Sequence, residues 1–272
     1  MEEKAANLNP KFMRLISSLG RIAAIDFGIQ TVGFLYSAYH KTEKIYDLTG
    51  SLTYHLCLYS LWGTMSSPRQ FFCYFGTLFW SARLGSYLYS RVQQHPDTRF
   101  DKIKVDPAKF AAAWFVQGVW VFATALPVFM CVLSKTQPVL NYRDAAGALM
   151  WITGFGLESI ADYQKMAFKK DHPDDYVNTG LYRYSRYPNY FGEILLWSGM
   201  WLVASSSFRG LQYLSILSPL FVAGLIHNVS GVKLAEASQA KRYGQRKDFQ
   251  EYHTKTSMYI PWFPASSSKK DQ

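Results

Sequence analysis

The chain is poor in cysteine and poor in charge. Three cysteines among 272 residues cannot build a disulfide scaffold. None stands in a CxxC pair, so a zinc site built on thiolates is excluded and no metal is expected. Charged residues make up only 18% of the chain beside 49% hydrophobic residues, which excludes a disordered chain. Acids are scarcer than bases, 19 Asp+Glu against 29 Lys+Arg, for a formal net charge of +10. These cations are spread over connectors and not gathered on one module, so no nucleic-acid partner is expected. Anionic membrane lipid or a phosphorylated cofactor suits such charge better. Tyr- and Trp-free apolar runs are also scarce. The mean hydropathy of −0.08 therefore averages aromatic-rich apolar stretches with basic connectors, because hydropathy scales penalise residues that membrane interfaces favour.

Crossing the hydrocarbon of a bilayer as a helix takes about 17 or more mostly apolar residues. About seven stretches approach that pattern, near residues 22–39, 51–65, 71–89, 110–133, 145–168, 191–205 and 213–227. The second and sixth are short, and Pro127 marks a kink in the fourth. The fold class read from this is all-α: a polytopic membrane protein with about seven transmembrane helices, forming a single domain over residues 1–272. With a cytosolic C-terminus, twenty of the 29 cations fall on the cytosolic side, eight on the other, and Arg83 lies within a span. The positive-inside rule predicts that asymmetry. The polar segment Met1 to Pro10 shows no cleavable signal pattern. Cys57, Cys73 and Cys131 fall inside spans, as small buried apolar residues do. The last residues, Lys269-Lys270-Asp271-Gln272, form a dilysine end. It is similar to the retrieval signal of endoplasmic-reticulum membrane proteins, and an integral membrane location there is expected.

Ionisable groups at membrane depth are costly and usually face a cavity. The apolar part holds Asp26, Arg83, Glu158 and Asp162, with Asp47 and His55 near the start of the second span. Glu158 and Asp162, four apart, share a helix face. Two carboxylates so placed need a cation or hydrogen-bond donors between them. Either they line a cavity, where Arg83 or a cofactor's amide and hydroxyl groups answer them, or they make an interhelical ion pair. Further on, Gly180 permits a tight turn, and Pro188 pushes Tyr187 extended and stands near the first position of a new helix. The N–H groups of that helix start, with Arg183 and Arg186 beside them, suit an anion at the cytosolic edge. The same pattern also fits an interfacial turn with snorkelling arginines and a tyrosine belt. Asn189 and Glu193, again four apart, turn to one face.

The run Leu157 to Lys165, followed by Gly180 to Glu193 with its core Tyr187-Pro188-Asn189-Tyr190-Phe191-Gly192-Glu193, resembles the membrane family DUF1295, which is related to steroid 5-alpha-reductases. Trp80 to Leu88 and Asp97 to Asp101 match the same pattern upstream, as do Glu236, Tyr252 and Ile260-Pro261 downstream. The resemblance covers about 47–264, leaving 265–272 as a tail. The block around Asn189 also occurs in sterol C14 and C7 reductases and, more loosely, in isoprenylcysteine carboxyl methyltransferases.

The resemblance implies a helical membrane fold of about seven spans, a site open to the cytosol, and NADPH as cofactor and reductant of a lipophilic small molecule. It gives Asp162, Asn189 and Glu193 to the nicotinamide and ribose, and Glu158 to the same pocket. Arg83 and Lys169 fall at basic positions that would meet phosphate or carboxamide-side groups; Arg186 adds a cation at the rim. The chain departs from the pattern in two places. Tyr187 stands where a His is usual, and Trp80 stands where a steroid reductase has a carbonyl-polarising Tyr. Asp47 is the nearest acid to the missing Glu partner. The protic candidates are Asp47, Tyr54, Tyr87 and His55, and Trp80 leaves room for a lipid other than a 3-keto-steroid. Two other classes compete with a reductase. One is methyl transfer from S-adenosylmethionine to a lipid or isoprenylcysteine carboxylate. The other is a non-catalytic sterol-binding protein of the same fold. The substrate and the oligomeric state are not legible.

Overall fold

The computed structural model describes residues 10–94, 97 and 100–265. The dilysine end and the Thr98-Arg99 part of the upstream motif lie outside the described residues. The rest is helical, with no strand among the described residues: α1 (Pro10–His40), α2 (Tyr46–Tyr59), α3 (Pro68–Gln94), α4 (Pro107–Leu133), α5 (Tyr142–Asp171), α6 (Pro188–Ser205), α7 (Leu217–Leu225), α8 (Val232–Tyr243) and α9 (Lys247–Lys255). Each stretch read as a span overlaps helical chain, although residues 60–65 of the second lie in the turn and loop beyond α2. Among the described residues, three helical segments are long and apolar enough to cross a membrane: Met13–His40, Pro107–Leu133 and Gly210–Tyr243. The other expected spans sit on shorter or more polar helices. α2 has 14 residues, about 21 Å of helix, and the end of α5 carries Lys169, Lys170 and Asp171.

Local chemistry sets the helix ends. Asp106 caps α4 by accepting from the N–H groups of Ala108 and Lys109 at 3.1 and 3.2 Å, with Pro107 in the first turn, where a missing N–H costs nothing. α6 begins at Pro188, as the sequence predicts. The last expected span differs. Residues 210–216 wind as a 3-10 helix, α7 starts only at Leu217, and a π turn follows at Ile226–Ser230. Pro219 is the cause we assign: without an N–H it fits the first turn of an α-helix and not its interior.

The helices divide into two compact units. One comprises the chain up to Asp144 with Trp201–Ser218, and the other Ala145–Met200 with Pro219 onward. In the first, α1 packs on α2 and α4, and α2 on α3. Its centre is aromatic: the Tyr54 ring meets Trp80 and Trp120 edge-on at 5.4 and 5.6 Å, while Phe100, Phe110 and Trp114 form a second cluster. One end is tied by Arg69, fully buried, whose guanidinium donates to both Asp144 oxygens at 2.6 and 2.8 Å and to the Pro138 carbonyl at 3.0 Å. That satisfies the charge where desolvation is most expensive.

The second unit is built on α5 and α6, whose backbones touch. A methyl group on Gly154 would stand 2.5 Å from the Gly192 carbonyl oxygen and 2.6 Å from the Leu196 nitrogen. On Gly192 it would meet the Glu158 nitrogen and the Gly154 oxygen at 2.6 Å, and on Gly199 the Gly147 oxygen at 2.5 Å. The pairing of 147 with 199 and 154 with 192 makes the helices antiparallel. The seven-residue spacing on each helix keeps the glycines on one face. Small residues at such a crossing let helices approach closely, which dispersion and weak polar contacts then stabilise.

This crossing predicts a contrast between two glycines. Gly192→Ala should destabilise the purified protein by about 1–3 kcal/mol, the usual cost of overpacking. Gly156→Ala, where a methyl group meets nothing within 4 Å, should not. Melting temperatures in one detergent compare them, and equal melting of both variants would contradict the close crossing.

Candidate functional site

In the second unit, the glycine crossing decides which polar residues meet. Glu158 lies one turn beyond Gly154, and Asp162 one turn further. They are 2% and 5% exposed. On α6, Asn189 precedes Gly192 by three residues, so the two share the face toward α5, and Glu193 stands one turn beyond Asn189. The Asn189 amide donates to Asp162 Oδ1 at 3.1 Å. The structure thus joins Asp162 and Asn189 directly and sets Glu158 against the backbone of Gly192. Two buried carboxylates and an amide on one face form a hydrogen-bond-accepting surface, with Glu193 half-buried beside it.

The loop entering α6 is fixed from two sides. Gly180 takes φ +59°, a conformation glycine adopts without strain, and its missing side chain makes room for Gln164, whose Oε1 accepts from the Leu181 N–H at 2.8 Å. The chain after α9 then runs along the loop. Arg186 N–H donates to the Ser257 carbonyl at 2.8 Å, Tyr187 N–H to Met258 at 3.1 Å, and Trp262 N–H to Tyr184 at 3.0 Å. Ser185 Oγ donates to the Tyr259 carbonyl at 2.7 Å.

The Arg186 side chain is held within the protein. Its guanidinium donates to Glu236 Oε1 at 2.6 Å and meets His253 Nε2. Tyr187 donates its hydroxyl to the same Glu236 oxygen at 2.7 Å, and His253 Nε2 lies 2.6 Å from the other. Burial, with the Glu236 acceptor, pushes the Tyr187 phenol well above its usual range, so Tyr187 stays neutral and donating. Lys169 is likewise committed locally. Its ammonium donates to the carbonyls of Pro173, at 3.1 Å, and Asp175, closing the C-terminal end of α5. Arg183 is exposed. The residues that sequence reasoning gave no role are Glu236 and His253. Glu236 appeared only as a motif match, and its pairing with Arg186 crosses 50 positions, which no local spacing reveals.

The first unit holds a small cavity whose lining includes Asp47, Ser51, Tyr54, Trp80, Gln117 and Trp120. Asp47 and Tyr54 are therefore brought together, and Trp80 presents its ring there. Arg83 and Tyr87, further along α3, are half-buried outside this lining. Arg91 stands over the Tyr87 ring at 6.0 Å and lies 3.8 Å from Asp47. Among the described residues, no group of three or more His, Cys, Asp or Glu could hold a metal.

A family model described as "Protein of unknown function (DUF1295)" matches residues 33–256, and the chain belongs to that family. The chain is also similar to "Uncharacterized protein C594.04c" of Schizosaccharomyces pombe, 22% identical over 245 residues that cover 79% of this chain and 70% of the yeast protein. No solved structure matches.

Glu236→Gln tests the clamp on the loop. It leaves the shape and removes the charge that Arg186 and Tyr187 share. Hydrogen bonds to charged groups contribute roughly 1.5–3 kcal/mol, so amide exchange in residues 252–262 should quicken about tenfold or more by mass spectrometry. Unchanged exchange would show that the strap is held by its backbone bonds alone.

Proposed function

We propose that this chain is an NADPH-dependent membrane reductase that saturates a carbon–carbon double bond of a steroid, sterol or other lipophilic molecule. The observation that carries the reading is the Asn189–Asp162 hydrogen bond beside the buried Glu158. A nicotinamide nucleotide offers donors at its carboxamide and ribose, and this face offers acceptors, so the residues fit the group. Asp162, held in place by Asn189, accepts from a ribose or carboxamide donor. Glu158 and Glu193 accept from the remaining donors, and the Asn189 carbonyl oxygen adds a neutral acceptor. The resemblance of residues 157–165 and 180–193 to reductases related to the family supports these roles.

Bound NADPH supplies hydride; orientation and proton supply fall to the protein. Within the first unit, Tyr54 Oη, with Asp47 at the same cavity, is the group we assign to hold a proton. Tyr87 lies outside the cavity lining and supports Arg91. Arg186 and Lys169, committed to Glu236 and to loop carbonyls, position the site's edge. The exposed Arg183 is the cation of that turn offered to cofactor phosphate, and Arg83 keeps its assignment to the cofactor side. We assign about seven spans and a cytosolic C-terminus on the charge asymmetry of the connectors, and an endoplasmic-reticulum membrane on the dilysine sequence Lys269-Lys270-Asp271-Gln272.

Binding of NADPH to the full-length protein in nanodiscs, read by calorimetry, tests the assignment. Asp162→Ala and Glu193→Ala should each weaken it about tenfold or more, the worth of a charged hydrogen bond. Unchanged affinity in both variants would remove the cofactor from this face.

A further inference from the structure

One end of the first unit is knotted by buried amides. Gln70, in the first turn of α3 and fully buried, reaches across to the end of α4. Its Nε2 donates to the carbonyls of Cys131, Val132 and Ser134 at 3.3, 2.9 and 3.0 Å. From the loop beyond α4, Gln137 Nε2 donates to the same Cys131 carbonyl at 3.2 Å. Arg69, beside Gln70, closes the end on Asp144. The start of α3 is therefore fixed against the last turn of α4, and side chains at that level keep defined neighbours.

Cys73 follows Gln70 by three residues, on the same face of α3. Cys131 stands two residues short of the end of α4. Both are fully buried, and one thiol donates a hydrogen bond to the other. Ser207 is a further polar neighbour of Cys131. All three cysteines are thiols in this structure. Hydrogen-bonded thiols turn their sulfurs toward each other, which is what a disulfide requires, whereas cysteines whose Cβ vectors point apart cannot be bridged. Cys57 makes the contrast: its thiol donates from α2 to the Ile22 carbonyl of α1 at 3.8 Å, so it faces a carbonyl and not a sulfur. The orientation proposed above sets the Cys73–Cys131 end, with the exposed Lys135, on the side opposite the cytosol. In an endoplasmic-reticulum membrane that side is the oxidising lumen, where disulfides form and persist.

We propose that Cys73 and Cys131 are joined by a disulfide in the mature protein, which locks the start of α3 to the end of α4. The bridge forms by thiol–disulfide exchange with a disulfide-bearing oxidant protein of the lumen, while the helix ends assemble and before Gln70 and Arg69 enclose them. One cysteine thiolate attacks the oxidant's disulfide, and the other then displaces the oxidant from the mixed disulfide. One S–S bond breaks and one forms. The oxidant leaves as a dithiol, carrying the two electrons and the two protons that the cysteines gave up. A link between residues so distant in the chain restricts the unfolded state. It also pins helices that carry Trp80 and Trp120 to the small cavity. The inference is independent of the cofactor and rests on the proposed orientation for its oxidising side.

The test uses the full-length protein in sealed microsomes of a eukaryotic host. Free thiols are blocked with N-ethylmaleimide in denaturant, bridged cysteines are then reduced and alkylated with iodoacetamide, and the peptides are read by mass spectrometry. Cys57 should carry the first label, and Cys73 and Cys131 the second. The unreduced digest should contain one cross-linked peptide joining Cys73 to Cys131. Cys73→Ser should move Cys131 to the first label, and Cys57→Ser should leave the bridge unchanged. Orientation is read separately: an impermeant amine reagent should spare Lys135 until detergent opens the microsomes. Labelling of Lys135 before detergent would overturn the orientation, while a cross-linked peptide would still uphold the bridge. N-ethylmaleimide on both Cys73 and Cys131 of the unmodified protein, or a bridge from either to Cys57 or to another chain, would overturn the proposal on whichever side Lys135 lies.

Discussion

The backbone contact between Gly154 and Gly192 is the constraint on which the candidate cofactor site depends. Helices separated by ordinary side chains lie about 8–10 Å apart, and at that spacing a short amide such as Asn189 reaches a facing carboxylate less readily. Removing the side chains at Gly147, Gly154, Gly192 and Gly199 brings α5 and α6 close enough for the Asn189–Asp162 hydrogen bond at 3.1 Å. The antiparallel pairing then sets the order: glycine on glycine, Glu158 against the backbone of Gly192, and Asp162 against Asn189. Buried acids are costly. Glu158 and Asp162 are retained here on a close helix crossing that defines their positions.

The loop into α6 shows how part of a conspicuous motif can serve structure. Arg186 and Tyr187 belong to the densest part of the family pattern, yet both turn to Glu236. They fasten the helix start to α8, and the segment beyond α9 adds backbone and hydroxyl hydrogen bonds to the loop. Asn189, two residues past Tyr187, is then left on the face toward α5. The fastening explains why Arg186, which the sequence offers as an anion ligand, acts through position.

Much of the fold was legible because it follows from local rules. The apolar stretches fall on helices, Pro188 opens α6, Gly180 makes a left-handed turn, and the four-residue spacings of Glu158–Asp162 and Asn189–Glu193 place each pair on one face. What stayed hidden depends on partners distant in the chain. Glycines seven apart on two stretches hint at a seam, but only the packed helices show which pairs touch. Nothing near Gln117 announces that Gln30 and Tyr46, 87 and 71 positions away, would fix its amide. The final expected span lies within Gly210–Tyr243, but an apolar run gives no account of Pro219 and the 3-10 helix that precedes α7. Among the protic candidates, the alternation of helix faces separates Asp47 and Tyr54, which line the cavity, from Tyr87, which does not.

The central claim is that the α5–α6 face holds a nicotinamide nucleotide. The most direct measurement is the melting temperature of the unmodified protein with saturating NADPH, compared with NADH and S-adenosylmethionine. A ligand that binds only the folded state at about a hundred times its Kd adds about 2.7 kcal/mol of stability. The account predicts that NADPH raises the melting temperature and S-adenosylmethionine does not. A rise with S-adenosylmethionine alone, or with none of the three, would contradict it.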